Sequence, residues 1–254
     1  MGIVNVTPDS FSDGGHHGRP SEAILHGRRL LDAGADLIDV GGESTRPGAM
    51  PVDERTEIAR VVPVVEALAG ATRVSIDTTK PAVARAAVAA GATILNDVSA
   101  SLAPLAAELG VGWVAMHMQG EPRTMQVAPT YDDVVTEVIA FLTERAEGAR
   151  ALGVDEIWID PGIGFGKTAE HNWELLRALP ALVRTGLPVA VGTSRKAFLG
   201  AFSAEVDGAE RPTSTDDRLE ASVTTALYAA HNGAAIVRVH DVAATVAAFG
   251  AVAA

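Results

Sequence analysis

The strongest constraint on the fold is an eightfold alternation between short apolar segments and longer segments with helical periodicity. The apolar segments are rich in Val and Ile, and several are apolar at consecutive positions, as in parallel strands buried on both faces. The predicted strands are Gly2–Val6, Asp36–Val40, Arg73–Ile76, Thr93–Asn96, Gly112–His117, Glu156–Asp160, Pro188–Gly192 and Ile236–Val239. The predicted helices cover about 21–34, 53–69, 80–90, 102–109, 131–151, 170–184, 215–232 and 241–250.

Eight strand–helix units in 254 residues predict an α/β protein with one (β/α)8 barrel, a TIM barrel, over residues 1–254. A doubly wound sheet is the alternative, but such a sheet rarely has eight regular units without a second domain. The least helical stretches are 7–20, 41–52, 118–130 and 203–214. In a barrel, the first three become long loops at the carboxyl ends of strands, where barrel enzymes bind their substrates.

Composition excludes several classes of protein. The net charge is −12, whereas a protein that binds a nucleic acid backbone needs a basic face. Cysteine is absent, which excludes disulfides, thiolate nucleophiles and cysteine-based zinc sites and is compatible with a reducing cytoplasm. No apolar stretch approaches the roughly 20 residues that span a bilayer, and the first residues do not resemble a signal peptide. We expect a cytoplasmic protein that binds neither membrane nor nucleic acid.

Polar residues follow seven of the eight predicted strands. They are Asn5, Asp77, Asn96 with Asp97, His117, Asp160, Ser194 to Lys196, and Arg238 with His240. One such residue alone is ordinarily a turn residue or a helix cap. The carboxyl ends of parallel barrel strands, however, meet at one rim. The set therefore predicts one polar site of amides, carboxylates and cations, which suits a polar heterocycle with an anion better than a transition metal.

Three motifs support other chemistries only weakly. The segment 160–168 resembles a phosphate-binding P-loop, but Pro161 occupies the position of the first glycine. His16 and His17 could bind a metal, although neighbouring histidines in a glycine-rich loop are more often solvated. Ser194 lies in GTSRK and not in the G-x-S-x-G sequence of a nucleophilic serine.

Three further residues near the predicted rim have two interpretations each. Lys167 and Arg195 fit a surface charge as well as a site residue. His117 fits a buried, hydrogen-bonded histidine better than a ligand of a bound molecule.

Eight segments along nearly the whole chain carry a family resemblance. They are NVTPDSFSDGG (5–15), DVGGESTRPGA (39–49), SIDT (75–78), NDVS (96–99), MHMQGEPRTMQ (116–126), DPGIGFGKT (160–168) with GTSRKAFLG (192–200), and RVHDV (238–242). Each is weak alone, but in this order they resemble the dihydropteroate synthases. Methyltetrahydrofolate methyltransferases share the pterin-binding barrel but lack the full SFSDGG and the SRK pattern. The resemblance implies a pterin-binding (β/α)8 barrel.

The resemblance also implies a transferase reaction of folate biosynthesis. The amine of p-aminobenzoate replaces the pyrophosphate of 6-hydroxymethyl-7,8-dihydropterin pyrophosphate, with Mg²⁺ as the cofactor. A dissociative step is plausible, because the dihydropterin can delocalise positive charge on its exocyclic methylene. Sulfonamides, as mimics of p-aminobenzoate, are expected to compete with it.

The matching motifs imply roles for individual residues. The catalytic set is Asp77, Lys196, Arg238 and Arg46. The pterin set is Asp77, Asn96, Met116, Asp160, Phe165, Gly192, Lys196 and Arg238. The pyrophosphate set is Asn5, Thr45, Arg46, Arg238 and His240, with Asn5 as the Mg²⁺ ligand. The p-aminobenzoate set is Phe11, Pro47, Phe165, Lys196 and Ser194.

One departure and two alternatives accompany the resemblance. The chain begins inside its predicted first strand, so we expect a barrel without the N-terminal hairpin that the family usually has. Family dimers commonly use late helices, which implies a homodimer. The first alternative is a non-catalytic pterin-binding homologue, although the catalytic and binding residues of the motifs are intact. The second is a methyltetrahydrofolate–corrinoid methyltransferase on the same barrel.

Overall fold

The computed structural model describes residues 1–7, 20–44, 49–209 and 211–253, and within them a ring of eight parallel strands. The strands are β1 (Gly2–Asn5), β2 (Leu37–Gly41), β3 (Arg73–Asp77), β4 (Ile94–Asp97), β5 (Gly112–Met116), β6 (Ile157–Asp160), β7 (Ala190–Val191) and β8 (Ile236–Val237). β1 to β6 pair in sequence order, and β7 pairs with β8. Parallel bridges between Ile159 and Val189 and between Gly2 and Val239 connect the two groups. The predicted barrel is confirmed.

Helices follow the strands and cover the outside of the ring. They are α1 (Pro20–Asp32), α2 (Glu54–Leu68), α3 (Pro81–Ala89), α4 (Ala103–Leu109), α5 (Val134–Ala151), α6 (Ala169–Arg177), α7 (Leu179–Val183), α8 (Ala197–Asp207), α9 (Leu219–His231) and α10 (Val242–Ala253). The side chains of Asp53, Asp133 and Thr168 cap α2, α5 and α6 by accepting hydrogen bonds from backbone N–H groups. No helix of the described ranges is long and apolar enough to cross a bilayer.

Two predicted boundaries are wrong for local reasons. The predicted helix 170–184 is two helices, because Pro180 lies in the first turn of α7, where its missing N–H is tolerated, and does not continue α6. The stretch 203–214 was expected to be non-helical, yet α8 runs to Asp207. Gly208 ends α8 with a φ of 66°, the left-handed conformation typical of a helix C-terminus.

The apolar core fills the space between the strands and the helices. Its largest fully buried side chains include Ile38, Ile76, Leu95, Trp113 and Ile159, each from a different strand. Because alternate residues of a strand point to opposite faces, the same strands also carry Asp39, Ser75 and Asn96 toward the barrel axis. The polar rim is therefore held in place by a rigid apolar layer outside it.

Candidate active site

The strand register brings the predicted rim residues to one level. Asn5 pairs with Gly41, Gly41 with Asp77, and Asp77 with Asn96, so the ends of β1 to β4 form one row. On the other side of the ring, Met116 at the end of β5 pairs with Asp160 at the end of β6. The structure thus places these predicted site residues together at the carboxyl ends of the strands.

Arg238, which directly follows β8, is the centre of a hydrogen-bonded cluster. Its Nε donates to Asp39 Oδ2 over 2.6 Å, and its Nη2 donates to Asp77 Oδ2 over 2.8 Å. Asn96 Nδ2 donates to the same oxygen of Asp39 over 2.9 Å. Asp39 Oδ2 therefore orients Asn96 at β4 and Arg238 after β8, two predicted pterin-binding residues.

Asp39 is the residue that the sequence analysis missed. It lies inside β2, and its side chain is fully buried, with Oδ1 lacking a hydrogen-bond partner in the described part of the chain. The strand-end pattern does not detect such a residue. An acidic residue between the apolar neighbours Ile38 and Val40 was the available signal, because an unpaired charge is costly to bury.

The cluster shifts the protonation of its members. Burial raises the pKa of Asp77 to about 7; the Arg238 guanidinium opposes this shift, whereas the carboxylates of Asp39 and Glu57 reinforce it. Burial disfavours the charge on Arg238, but Asp39 and Asp77 outweigh burial, and the pKa of the guanidinium is raised. Arg238 therefore stays charged, while Asp77 titrates near neutral pH.

Asp160, Phe165 and Lys196 form the opposite side of the site. Asp160 is buried, which raises its pKa, and its Oδ1 accepts a hydrogen bond from the Gly162 N–H over 2.7 Å. Lys196 Nζ lies 4.0 Å from the centroid of the Phe165 ring. Burial, with the neighbouring Arg238 charge, lowers the pKa of Lys196 to about 8. A carboxylate, an amine and an aromatic face are thus presented to the same space.

The turn between β6 and α6 has a shape that only glycine permits. Gly162 and Gly166 have φ values of 65° and 62°. A Cβ at these positions would lie 1.8 Å from the His117 carbonyl oxygen and 2.2 Å from that of Gln119, respectively. The glycines of the apparent P-loop thus pack the turn against the chain after β5.

Lys167 is buried beneath this turn, so its interpretation as a surface charge was wrong. Lys167 is only 2% exposed. Nζ lies 2.9 Å from the Phe165 carbonyl oxygen, 3.3 Å from that of His117 and 3.0 Å from His117 Nδ1. Burial lowers the pKa of Lys167 to about 7 and, with the Lys167 charge, that of His117 to about 3. Of the two interpretations of His117, the structure therefore supports the buried, hydrogen-bonded histidine.

The ends of β7 and β8 are linked through four side chains. Ser194 Oγ lies 3.0 Å from His240 Nδ1 and accepts from the His240 N–H over 3.2 Å. Arg195 has a φ of 60°, which is rare for a residue with a Cβ, and its guanidinium bonds both carboxylate oxygens of Asp241 over 3.0 and 2.6 Å. This ion pair shows a structural role for Arg195, between the predicted site residues Ser194 and Lys196.

Some predicted site residues lie outside the described residues. They are Phe11, Thr45, Arg46 and Pro47. Gly192 is described, and a Cβ there would lie 3.7 Å from the Cβ of Arg238, so it borders the central cluster. No group of three or more His, Asp or Glu residues in the described ranges could hold a metal ion.

Comparison with known proteins assigns a family to this geometry. Residues 1–240 match the family model of pterin binding enzymes. The chain is 51% identical to the dihydropteroate synthase of Mycobacterium leprae over 97% of this chain and 89% of the relative. This chain belongs to the dihydropteroate synthase family. The predicted transferase function in folate synthesis is thereby confirmed.

Two solved structures of the family extend the comparison. The Yersinia pestis dihydropteroate synthase in a sulfonamide drug complex is 45% identical, with a TM-score of 0.91 over 100% of this chain and 92% of that chain. The Xanthomonas albilineans dihydropteroate synthase with 4-aminobenzoic acid is 50% identical, with a TM-score of 0.88 over 100% and 92%. The similarity covers the whole barrel, including every strand that contributes to the rim.

Proposed function

We propose that this chain joins 6-hydroxymethyl-7,8-dihydropterin pyrophosphate to p-aminobenzoate, forming 7,8-dihydropteroate and pyrophosphate. The observation that carries the proposal is the Arg238 cluster, in which one guanidinium bonds two carboxylates at the centre of the rim. Opposite it lie Asp160 and an aromatic face beside the amine of Lys196. This arrangement suits a flat, polar heterocycle with an anionic substituent.

The pterin occupies the space between the two sides of the site. The buried Asp160 carboxylate accepts from the guanidine-like edge of the ring, and Lys196 donates to its carbonyl or ring nitrogen. Asn96 and Asp77 bind other polar atoms of the ring. Met116, Phe165 and Gly192 with the stem of Arg238 line its faces. Asp39 acts indirectly, because it holds Arg238 and Asn96 in their bonded positions.

The residues at the pyrophosphate end fit a magnesium ion. A Cβ on Gly41 would lie 3.7 Å from both Asn5 Oδ1 and Asp77 Oδ2, so the Asn5 amide oxygen lies beside the Asp77 carboxylate that Arg238 engages. Mg²⁺ prefers oxygen ligands and usually bridges to phosphate oxygens. Asn5 would hold it, and when bound the ion neutralises charge on the departing pyrophosphate. Thr45, Arg46, Arg238 and His240 donate hydrogen bonds to the same group.

The chemical step replaces a C–O bond with a C–N bond. The bond between the exocyclic methylene and the pyrophosphate oxygen breaks, and the pyrophosphate leaves with the electron pair. The ionised Asp77 carboxylate stabilises the cation that remains. The neutral aryl amine of p-aminobenzoate then attacks the methylene and loses one proton to solvent. An aryl amine needs no strong base at neutral pH, so no His–carboxylate dyad is required.

p-Aminobenzoate lies on the Phe165 and Lys196 side of the pocket. Phe11 and Pro47 complete its apolar surroundings, while Ser194 and backbone N–H groups at the start of α8 bind its carboxylate. The two solved relatives, one in complex with a sulfonamide drug and one with 4-aminobenzoic acid, support this choice of second substrate. Sulfonamides are expected to compete with p-aminobenzoate.

A pyrophosphate-release assay tests the proposal. With Mg²⁺ and both substrates we expect turnover that depends on p-aminobenzoate, and we expect Asp160→Ala to weaken pterin binding in the absence of p-aminobenzoate. Pterin binding without pyrophosphate release would instead identify a non-catalytic homologue. Methyl transfer to a corrinoid protein, without use of p-aminobenzoate, would identify a methyltransferase.

We also propose that the single barrel domain, residues 1–254, forms a cytoplasmic homodimer through its late helices. Phe202 and Val206 on α8, Tyr228 on α9 and Val246 on α10 are exposed apolar side chains. We assign these side chains to the face that packs against the second chain. Light scattering is expected to give twice the chain mass, and Phe202→Glu is expected to weaken the association. Cell fractionation checks the cytoplasmic location.

A further inference from the structure

Lysine is confined to one face of this protein. The sequence contains three lysines, Lys80, Lys167 and Lys196, and the other 17 of its 20 basic residues are arginines. The three follow β3, β6 and β7 at the carboxyl ends of the strands. Because a guanidinium stays protonated, it does not act as an amine nucleophile near neutral pH. The side-chain amine chemistry of the molecule is therefore restricted to the active-site rim.

Two of these lysines are engaged by the protein. Lys80 Nζ donates to Glu57 over 2.6 Å, to Glu43 over 2.9 Å and to the Val52 carbonyl over 2.7 Å. Burial opposes its charge, but the two glutamates outweigh burial and raise the pKa of Lys80. Lys167 is almost completely buried beneath the turn. Neither offers an accessible neutral amine.

Lys196 differs from both. It is partly exposed, as Lys80 is, but its Nζ faces the Phe165 ring at 4.0 Å without donating to an acceptor in the part of the chain that the structure describes. Burial and the Arg238 charge from the end of β8 lower its pKa, while Asp160 from β6 and Asp77 from β3 oppose them, with a balance at about 8. A lysine desolvated beside another cation is an effective nucleophile toward carbonyl groups.

We propose that Lys196 is a site of reversible imine formation with flat aromatic aldehydes that carry an anionic group. The Nζ lone pair attacks the aldehyde carbon, the carbonyl oxygen takes up a proton, and the carbinolamine loses water to leave a C=N bond. No oxidant or reductant takes part. The aromatic ring lies against Phe165, and the anionic group reaches Arg238 or the Ser194–His240 pair. The inference goes beyond the proposed reaction, because it requires neither turnover nor a pterin.

Pyridoxal 5′-phosphate is a suitable probe, since it is a flat aromatic aldehyde with a phosphate group. The protein is incubated with it near pH 8, the imine is trapped as a secondary amine with borohydride, and the labelled peptide is mapped by mass spectrometry. We expect about one label per chain on the peptide with Lys196. In Lys196→Arg the label falls at least tenfold, whereas in the matched control Lys80→Arg it is unchanged.

The pH dependence sharpens the test. With a pKa of about 8, the neutral fraction of the Lys196 amine is about 50-fold larger at pH 8 than at pH 6. The initial rate of imine formation is expected to fall at least tenfold over that range. Label that remains in Lys196→Arg, that lies mainly on Lys80 or on the amine of Met1, or that is absent altogether would overturn the proposal. The wild-type peptide map decides between these outcomes even if the variant does not fold.

Discussion

Two lysines lie on opposite sides of Phe165 and differ in their hydrogen bonds. Beneath it, Lys167 lies 2.9 Å from the Phe165 carbonyl oxygen and contacts two atoms of His117. Above it, Lys196 faces the ring and donates to no acceptor among the described residues. Burial is the largest cause of the lowered pKa at both. The difference therefore lies in the acceptors: one amine completes the structure, and the other is left for a ligand.

The lower side is the more constrained because the backbone of the turn is also bonded. Gln126 Nε2 donates to the Gly164 carbonyl over 2.7 Å, and Tyr131 Oη donates to that of Gly166 over 2.7 Å. The Gly164 N–H donates to Asn172 Oδ1 over 2.7 Å. These bonds fix the turn, and the turn holds the Phe165 ring against Lys196. The bonded side of the turn therefore positions the aromatic ring of the ligand pocket.

The largest expected effect is on activity when Lys196 becomes Met. Loss of the donor to the pterin is expected to lower kcat/KM by about 10²–10³-fold, as for removal of one preorganised donor. Stability is expected not to fall, because no acceptor loses its partner and the lowered pKa makes the Lys196 charge a cost of folding that the variant removes. Pyrophosphate release and urea unfolding of the same preparation measure both quantities. A loss of stability that accompanies the loss of activity would show that Lys196, like Lys167, is needed to hold the structure.

The same substitution at Lys167 is expected to act mainly on stability. Lys167→Met leaves the buried carbonyl oxygens of His117 and Phe165 without a donor, which costs about 2 kcal/mol. Urea unfolding at about pH 10.5, where the lowered pKa of Lys167 no longer costs much stability, measures this loss, with Lys196→Met as the matched control. A variant as stable as the wild type would show that the buried amine is not needed to hold the turn.

The dependence of stability on pH is expected to identify Lys167. Its pKa falls from 10.5 in the unfolded chain to about 7 in the folded one, so between these values the unfolded chain binds the extra proton. The free energy of unfolding should therefore rise with pH, and Lys167 should contribute about 1 kcal/mol per pH unit. Unfolding curves between about pH 7.5 and about pH 9.5 check this slope. Lys196, whose pKa falls to about 8, adds its own slope above that pH, so Lys167→Met is expected to flatten the curve over the whole range and Lys196→Met only over its upper part.

The smallest effect is expected at Tyr131. Tyr131→Phe removes the hydroxyl that donates to the Gly166 carbonyl and should cost about 1 kcal/mol. The turn keeps its other bonds, so kcat/KM is expected to change less than twofold. A large loss of activity with unchanged stability would mean that Tyr131 affects the substrate more directly than the turn.

The rim was predictable from the sequence because parallel strands share a direction. Once eight strands were recognised, the polar residues after them had to meet at one end, and the register of Asn5, Asp77 and Asn96 shows that they do. The turn-forming residues were less informative about where each helix ends. The boundary at Pro180 depends on where a helix stops, which periodicity alone does not determine.

The roles of Asp39 and Lys167 could not be assigned from the sequence for a common reason. The charged partner of Asp39 at the site is Arg238, which lies 199 residues away in the chain. The acceptors of Lys167 include two atoms of His117, which lies 50 residues away. The role of a buried charge can be assigned only when its distant partners are known, and one sequence does not show them. The site roles on 8–19 and 45–48 remain predictions.

The glycines of the β6–α6 turn have a consequence for inhibitors. Any side chain at Gly162 or Gly166 would have to displace a backbone carbonyl of the neighbouring chain segment. A compound that gains its affinity from the backbone atoms of this turn would therefore contact a surface that point mutation cannot reshape without damaging the barrel. Resistance to such a compound would have to arise elsewhere on the rim.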